Sequence, residues 1–215
     1  MKWLKEITGK SNLTLSKDAE QYLLSRGITQ RDIYFWEIGY GDEEVSLYVP
    51  KAKDKILIPV KNAYGDWITI IFHNIVGSPK YERLPMVKLT HQLFGLDMAK
   101  RHIVAEEFAI VVEGLFDVVA MHRVGFTNTV SCFGNLLKEY QIARLLRYTE
   151  KAVLLFDNDA AGRNGVKESL RIAERVGLNC RPIFLGTYKD PDLNIRKDKS
   201  YIMRLKEVLR GDIKI

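Results

Sequence analysis

The sequence is poor in the features that mark secreted, membrane-embedded and metal-finger proteins. Its 215 residues include only 2 cysteines, Cys132 and Cys180, which lie too far apart to form a paired metal motif. Two cysteines are also too few for a disulfide framework, so we expect reduced thiols in a cytoplasmic protein. The longest apolar runs, such as residues 108–112, fall far short of the roughly 20 residues that a membrane span needs. The opening MKWLKEITGKS has no apolar core, so neither an export signal nor a membrane partner is predicted.

The chain also lacks a strong excess of one charge. It has 33 Lys and Arg against 27 Asp and Glu, a formal net charge of +6, with no basic tail. This mild excess permits a polyanionic partner but does not require one. A hydrophobic fraction of 47% with 28% charged residues indicates a folded chain rather than a disordered one.

The first part of the chain predicts a mixture of helices and antiparallel strands. Residues 14–37 read as one or two short helices, with Ser16 and Thr29 as candidate N-caps and Gly27 as a stop. Three segments read as strands of a curled sheet, with a turn at 62–66 between the last two: residues 45–49, 55–60 and 67–76. We therefore expect an α+β subdomain over residues 1–103.

The second part alternates short apolar strands with amphipathic helices. The predicted strands are residues 108–112, 127–133, 152–156 and 181–185, and the predicted helices are residues 115–124, 136–149 and 160–176. This alternation is typical of a parallel sheet flanked by helices, in which the ligand crevice lies at the carboxyl ends of the strands. The predicted fold is α/β: the N-terminal subdomain packs on this domain, residues 104–196, and a helical tail follows over 197–215.

Each predicted strand delivers a carboxylate or a glycine to the same edge of the sheet. These residues are Glu113, Gly114, Gly134, Asp157, Asp159, Asp190 and Asp192, with Asp117 in the first turn of a helix. Two carboxylates ~4 Å apart repel by about 4 kcal/mol at an effective dielectric constant of ~20, and a divalent cation relieves this repulsion. Oxygen ligands without His or Cys favour Mg²⁺ or Mn²⁺. Taken singly, Asp117 and Asp159 could equally be residues that cap helices.

These motifs resemble a known family. VVEGLFDVVAMHRVGF, VSCFGN, LLFDNDAAGR and KDPD are similar, in order and spacing, to the TOPRIM domain of bacterial DnaG-type primases. SRGITQRDIYFWEIGYGD, DKILIPVKNAYGDWI and GSPKYERLP resemble the N-terminal part of the same catalytic core. The resemblance covers roughly residues 16–196. It suggests a reduced form, without the zinc-binding and helicase-binding domains of the family.

The resemblance implies template-directed synthesis of RNA primers on single-stranded DNA from ribonucleoside triphosphates. It implies Glu113, Asp157 and Asp159 as catalytic metal ligands for Mg²⁺ or Mn²⁺, with Asp117, Asp190 and Asp192 as outer ligands or orienting groups. The residues it implies for nucleotide or template phosphates are Lys55, Asn74, Lys80 and Arg163, with Gly114 and Gly134 leaving room for a phosphate. A separate helicase or helper subunit is a further expected partner.

Two other functions remain open from the sequence. A TOPRIM nuclease would cut nucleic acid with the same carboxylates and metals, and a non-catalytic module would only bind nucleic acid or a replication partner. The GSPKY block and the strands before it favour the primase, since small TOPRIM nucleases lack that half. Retention of all the acidic residues argues against the non-catalytic module.

Overall fold

Two four-stranded sheets, one antiparallel and one parallel, organise the chain. The computed structural model describes residues 15–84 and 87–212. The chain divides into two compact units, residues 1–88 and residues 89–215. The first residue of the predicted 14–37 helical stretch and the last three of the predicted tail lie outside the described residues.

In the described part of the first unit, from residue 15 onwards, the first elements are the two short helices that the capping residues predict. In α1 (Lys17–Ser25), the Ser16 hydroxyl accepts a hydrogen bond from the Ala19 N–H at 3.2 Å. In α2 (Gln30–Phe35), Thr29 and Asp32 form a capping box, in which each side chain accepts the other's backbone N–H. These bonds satisfy N–H groups that a helix start otherwise leaves unpaired, so the two helices are confirmed.

The antiparallel sheet has its strands in sequence order. These are β1 (Gly39–Tyr40), β2 (Ile56–Lys61), β3 (Trp67–His73) and β4 (Tyr81–Arg83). The long pairing of β2 with β3 confirms the strands predicted over 55–60 and 67–76, although β3 ends at His73. The short β4 lies in the GSPKYERLP segment, where the sequence indicates no regular element.

The strand predicted over residues 45–49 is wrong. These residues lie mostly in α3 (Glu43–Tyr48), and the Asp42 carboxylate caps this helix by accepting the Val45 N–H at 2.9 Å. Glu43 and Glu44 in the first turn add a favourable interaction with the helix dipole. A single turn of 3-10 helix, Pro50–Ala52, follows. The apolar alternation reflects the burial of Val45 against the sheet rather than extended backbone.

The second unit confirms the parallel sheet, whose strand order is β6-β5-β7-β8. A 3-10 turn, Leu89–His91, begins the unit, and its longer elements follow in this order: α4 (Leu96–Glu106), β5 (Ala109–Val112), α5 (Leu115–Arg123), β6 (Thr129–Ser131), α6 (Glu139–Leu145), β7 (Lys151–Leu154), α7 (Ala160–Val176), β8 (Asn179–Pro182), α8 (Pro191–Lys197) and α9 (Tyr201–Asp212). The predicted boundary between residues 103 and 104 falls inside α4. The sequence predicts it there because the sequence pattern changes just before the first parallel strand. The division between units comes earlier, at residues 88 and 89.

The register of the parallel sheet sets the position of the site. All four residues of the central strand β5 are fully buried. Val112 at its end pairs with Ser131 of β6, and Val111 pairs with Leu154 of β7. The carboxyl ends of three strands therefore lie side by side. Both cysteines are free thiols, as expected, and no helix among the described residues is long and apolar enough to span a bilayer.

Candidate active site

Glu113 is fixed at the centre of this edge from both neighbouring strands. Its backbone carbonyl accepts hydrogen bonds from the Ser131 hydroxyl at 2.6 Å and from the Gly134 N–H at 3.1 Å. Its carboxylate oxygen Oε1 accepts the backbone N–H of Asp157 at 3.0 Å. The loop after β7 thus contacts the residue that follows β5, across 44 positions of sequence.

Glu113 and Asp157 share a partly buried, negatively charged environment. Burial, followed by the charge of Asp157, raises the pKa of Glu113 to about 7. Burial, followed by the charge of Asp190, raises the pKa of Asp157, whose side chain is 16% exposed. Both shifts have the direction expected when carboxylates crowd together away from water.

Asp159 has two functions at this edge, one for each carboxylate oxygen. Oδ1 caps α7 by accepting the Gly162 N–H at 2.9 Å. Oδ2 lies 3.1 Å from the Lys189 ammonium. These contacts, the Gly162 bond first, lower the pKa of Asp159. Asp159 is therefore a helix cap, and its second carboxylate oxygen faces the Lys189 ammonium.

Lys189 is a site residue that the sequence interpretation did not identify. Its Nζ lies 3.5 Å from Asp157 Oδ2 and 3.1 Å from Asp159 Oδ2, so it bridges the two aspartates. Its backbone carbonyl accepts the Asn158 N–H at 2.6 Å, which joins the two loops. The available signal was a basic residue directly before the Asp-Pro-Asp block.

Asp117 lies buried beside the edge, where it connects two helices. Its Oδ2 accepts the Gly114 N–H at 3.2 Å, and its Oδ1 accepts the Asp192 N–H at 3.0 Å. Burial, followed by the charge of Asp190, raises its pKa to about 7. Asp190 caps α8 through the Leu193 N–H at 2.7 Å. Asp117 and Asp190 are therefore close enough to the acidic edge to influence its charge.

Asp192 has a partner of its own. Its side chain is 1% exposed, and both of its oxygens accept hydrogen bonds from Arg196 at 3.1 Å. The arginine lies on the same helix, so the pair satisfies this carboxylate and stabilises α8 itself.

Two glycines at the edge are required by close approaches of other groups. A Cβ atom on Gly114 would lie 2.5 Å from Asp117 Oδ2. A Cβ atom on Gly162 would lie 2.1 Å from the Asp157 carbonyl oxygen and 2.8 Å from Glu113 Oε1. Gly134 has a φ angle of +138°, which side-chain-bearing residues rarely adopt.

The predicted phosphate-binding residues are distributed over both units. In the second unit, Arg163 donates to Asn158 Oδ1 at 2.8 Å, and its guanidinium lies 5.8 Å from the Phe184 ring centre. In the first unit, Lys55 pairs with Glu82 at 2.6 Å, and Asn74 donates to the same Glu82 oxygen at 3.3 Å.

Lys80, the remaining predicted phosphate ligand, belongs to the first unit with Lys55 and Asn74. Its ammonium lies 5.5 Å from the Tyr81 ring centre. The side chain is exposed, which suits contact with a ligand from solvent.

The donor set at the edge fits a divalent cation. Across residues 15–84 and 87–212, no three His, Cys, Asp or Glu side chains are already arranged as a metal-binding group. Glu113 nevertheless accepts a hydrogen bond from the Asp157 backbone, and a lysine ammonium bridges the carboxylates of Asp157 and Asp159. Carboxylate oxygens are hard donors of the kind that bind divalent cations, and such a cation would take the place of the lysine ammonium.

Acidic loops at the ends of this parallel sheet define a Toprim-like domain, and the family model described as Toprim-like matches residues 110–195. Over most of its length the chain is related, more specifically, to the catalytic core of DnaG-type primases. The DNA primase of Aquifex aeolicus is 30% identical over 87% of this chain and 44% of its own length. That of Clostridium acetobutylicum is 28% identical over 91% of this chain and 38% of its own. The chain therefore spans less than half the length of these two relatives.

Solved structures agree with this relationship. The zinc-binding and RNA polymerase domains of the Aquifex aeolicus primase superpose with a TM-score of 0.85 and 28% identity, covering 97% of this chain and 59% of that one. The DnaG primase catalytic domain bound to single-stranded DNA has a TM-score of 0.79 and 22% identity, covering 96% of this chain and 79% of that one, and shares the fold.

Proposed function

We propose that this chain is the catalytic part of a cytoplasmic DNA primase, which joins ribonucleotides into short RNA primers on single-stranded DNA. The observation that carries the proposal is the bond from the Asp157 N–H to Glu113 Oε1 at the edge of the Toprim-like sheet. This bond brings Glu113 into one cluster with Asp157 and Asp159. The relatives that match most of the chain are DNA primases, which supports the same reaction here.

The proposed metal ligands are Glu113, Asp157 and Asp159, with Mg²⁺ or Mn²⁺ as the ion. When bound, such ions activate the attacking 3′-hydroxyl and neutralise the pyrophosphate leaving group. The Asp157 N–H orients the Glu113 carboxylate, and the cap on α7 orients Asp159. Asp117 and Asp190 would act one step further out by positioning α8 and adding negative charge.

The proposed phosphate contacts are cationic or amide groups. Arg163 follows the acidic loop directly and would contact the nucleotide there. Lys80 is exposed on the first unit, whereas Lys55 and Asn74 are engaged with Glu82. A phosphate bound by Lys55 would therefore have to compete with Glu82. The binding of single-stranded DNA releases counterions from its phosphates. The affinity should therefore fall as salt is added.

The extent of the similarity favours a primase over a nuclease. The Toprim-like match covers only residues 110–195, yet the primase relatives match 87% and 91% of the chain. The similarity thus extends into the antiparallel unit, which small TOPRIM nucleases lack.

The test is incorporation of labelled ribonucleotides on single-stranded DNA with Mg²⁺ or Mn²⁺. Glu113→Gln and Asp157→Asn should each lower incorporation about 100-fold or more, the range for losing one preorganised charge-stabilising group. Glu174→Gln, an exposed carboxylate change on α7, is the matched control and should retain wild-type incorporation. A helicase or helper subunit, our proposed partner, is added in a parallel series.

Two results would contradict the proposal. One is wild-type incorporation by a folded Glu113→Gln chain. The other is metal-dependent cleavage of end-labelled DNA by the wild type, without incorporation in either series, which would favour the nuclease.

A further inference from the structure

The Lys189 ammonium lies between the two aspartates of the acidic edge. It contacts the Oδ2 atoms of Asp157 and Asp159 at 3.5 and 3.1 Å. Within residues 15–84 and 87–212, no other basic side chain forms an ion pair with either aspartate. Glu113 adds a third carboxylate to the same cluster. The ammonium therefore offsets part of a repulsion that the chain carries when no metal is bound.

The backbone of Lys189 is fixed, but its side chain can move. The Asn158 N–H holds its carbonyl at 2.6 Å, and the next residue, Asp190, caps α8. By contrast, the Lys189 side chain is 58% exposed. Rotation about its side-chain bonds can thus move the ammonium into water without displacing either loop.

We infer that Lys189 is a built-in counter-ion of the metal site, which bridges Asp157 and Asp159 in the metal-free chain and is displaced into solvent when a divalent cation binds. The inference rests on the proposed metal-dependent function. Its physical basis is competition, because the aspartate oxygens that would coordinate the cation are those already bonded to Nζ. Lys189 is a positioning residue in this role, since it keeps the carboxylates together until metal replaces it.

The test compares Lys189→Gln, Lys189→Arg and the control Lys167→Gln, an exposed lysine on α7. The affinity for Mn²⁺ is measured by electron paramagnetic resonance of the free ion, and thermal unfolding is followed with and without Mn²⁺. Removing the competing ammonium should tighten Mn²⁺ binding roughly three- to tenfold, the range for losing one or two partly exposed ion pairs.

The thermal data add a second readout that does not depend on activity. Without metal, Lys189→Gln should melt roughly 2–4 °C below the wild type, the shift that a small loss of stability produces in a chain of this size. The gap should close at saturating Mn²⁺, because the bridge is then absent in both chains. Lys189→Arg keeps the charge and should behave like the wild type, as should Lys167→Gln.

The possible failures are distinguishable. If the folded Lys189→Gln chain binds Mn²⁺ no more tightly than the wild type, or if its melting gap persists at saturating Mn²⁺, the counter-ion role is overturned while the proposed function stands. If the wild type binds no Mn²⁺ at all, the proposed metal-dependent function itself fails, and the inference fails with it.

Discussion

A single methyl group added at Gly162 would test the geometry of the site directly. In Gly162→Ala, the new Cβ would lie 2.1 Å from the Asp157 carbonyl oxygen and 2.8 Å from Glu113 Oε1. Atoms in ordinary contact lie roughly 3.5 Å apart, so the start of α7 must move by more than about 1 Å. That movement would also disturb the bond by which Asp159 caps the helix at Gly162.

The expected magnitude follows from two opposing effects. Alanine improves helix propensity over glycine by about 1 kcal/mol. Overpacking costs about 1–3 kcal/mol, so the free energy of unfolding should fall by up to about 2 kcal/mol. For a chain of this size the melting temperature would then fall by up to about 4–8 °C. Activity should fall more steeply, because a misplacement of about 1 Å at a reacting centre can cost ~100-fold.

The matched control is Gly211→Ala. Gly211 is also helical, in α9, but nothing lies within 4 Å of its added Cβ. This control should melt at or slightly above the wild-type temperature and incorporate ribonucleotides normally. Melting is followed by circular dichroism, and incorporation by the primer assay. If Gly162→Ala matched Gly211→Ala in both measurements, the crowded contact at the start of α7 would be refuted.

Three further changes test the second unit. Arg196→Ala removes both hydrogen bonds to the buried Asp192 carboxylate and should cost about 3–5 kcal/mol; an unchanged urea midpoint would contradict the buried ion pair. Burial lowers the pKa of His122 to about 4. The stability contributed by the neutral imidazole is therefore fully present above its ordinary pKa of about 6.5. This stability is lost as the pH falls from about 6.5 towards 4, by up to about 1.4 kcal/mol per pH unit. His122→Gln should lack that component, and equal pH slopes in urea unfolding would exclude it. Gln141→Leu removes the amide donor to the backbone carbonyls of residues 92 and 132 and should cost about 1–3 kcal/mol for each carbonyl left unpaired; a wild-type melting curve would oppose this.

The parallel sheet could be predicted because its inner strands, β5 and β7, are short, mostly apolar and buried. β5 is fully buried, and all of its residues are apolar. Its sequence is therefore a continuous apolar run, without the polar and apolar alternation of a half-exposed strand. α3 could not be predicted in the same way, because its six residues are too few to show a helical period. There, the cap by Asp42 decides the conformation, although the apolar spacing favours a strand.

Some residues of the candidate site could likewise be predicted from the sequence, and others could not. The rule that parallel strands end at one edge predicts that Glu113, Asp157 and Asp159 lie near one another. Lys189 could not be found by that rule, because its pairing depends on a contact between two loops. The Asp192–Arg196 pair could have been recognised, since an acid and an arginine four positions apart on a helix commonly interact.

The bond between the Asp192 N–H and the Asp117 carboxylate spans 75 positions of the chain. During translation, the ribosome releases α5 long before α8. The Asp117 carboxylate therefore lacks its second hydrogen-bond donor, the Asp192 N–H, until α8 has been synthesised. A chain stopped before residue 189 would carry the three carboxylates without their lysine. Unfinished products therefore cannot assemble the acidic edge in its balanced form, and the site matures only when the last part of the unit is made.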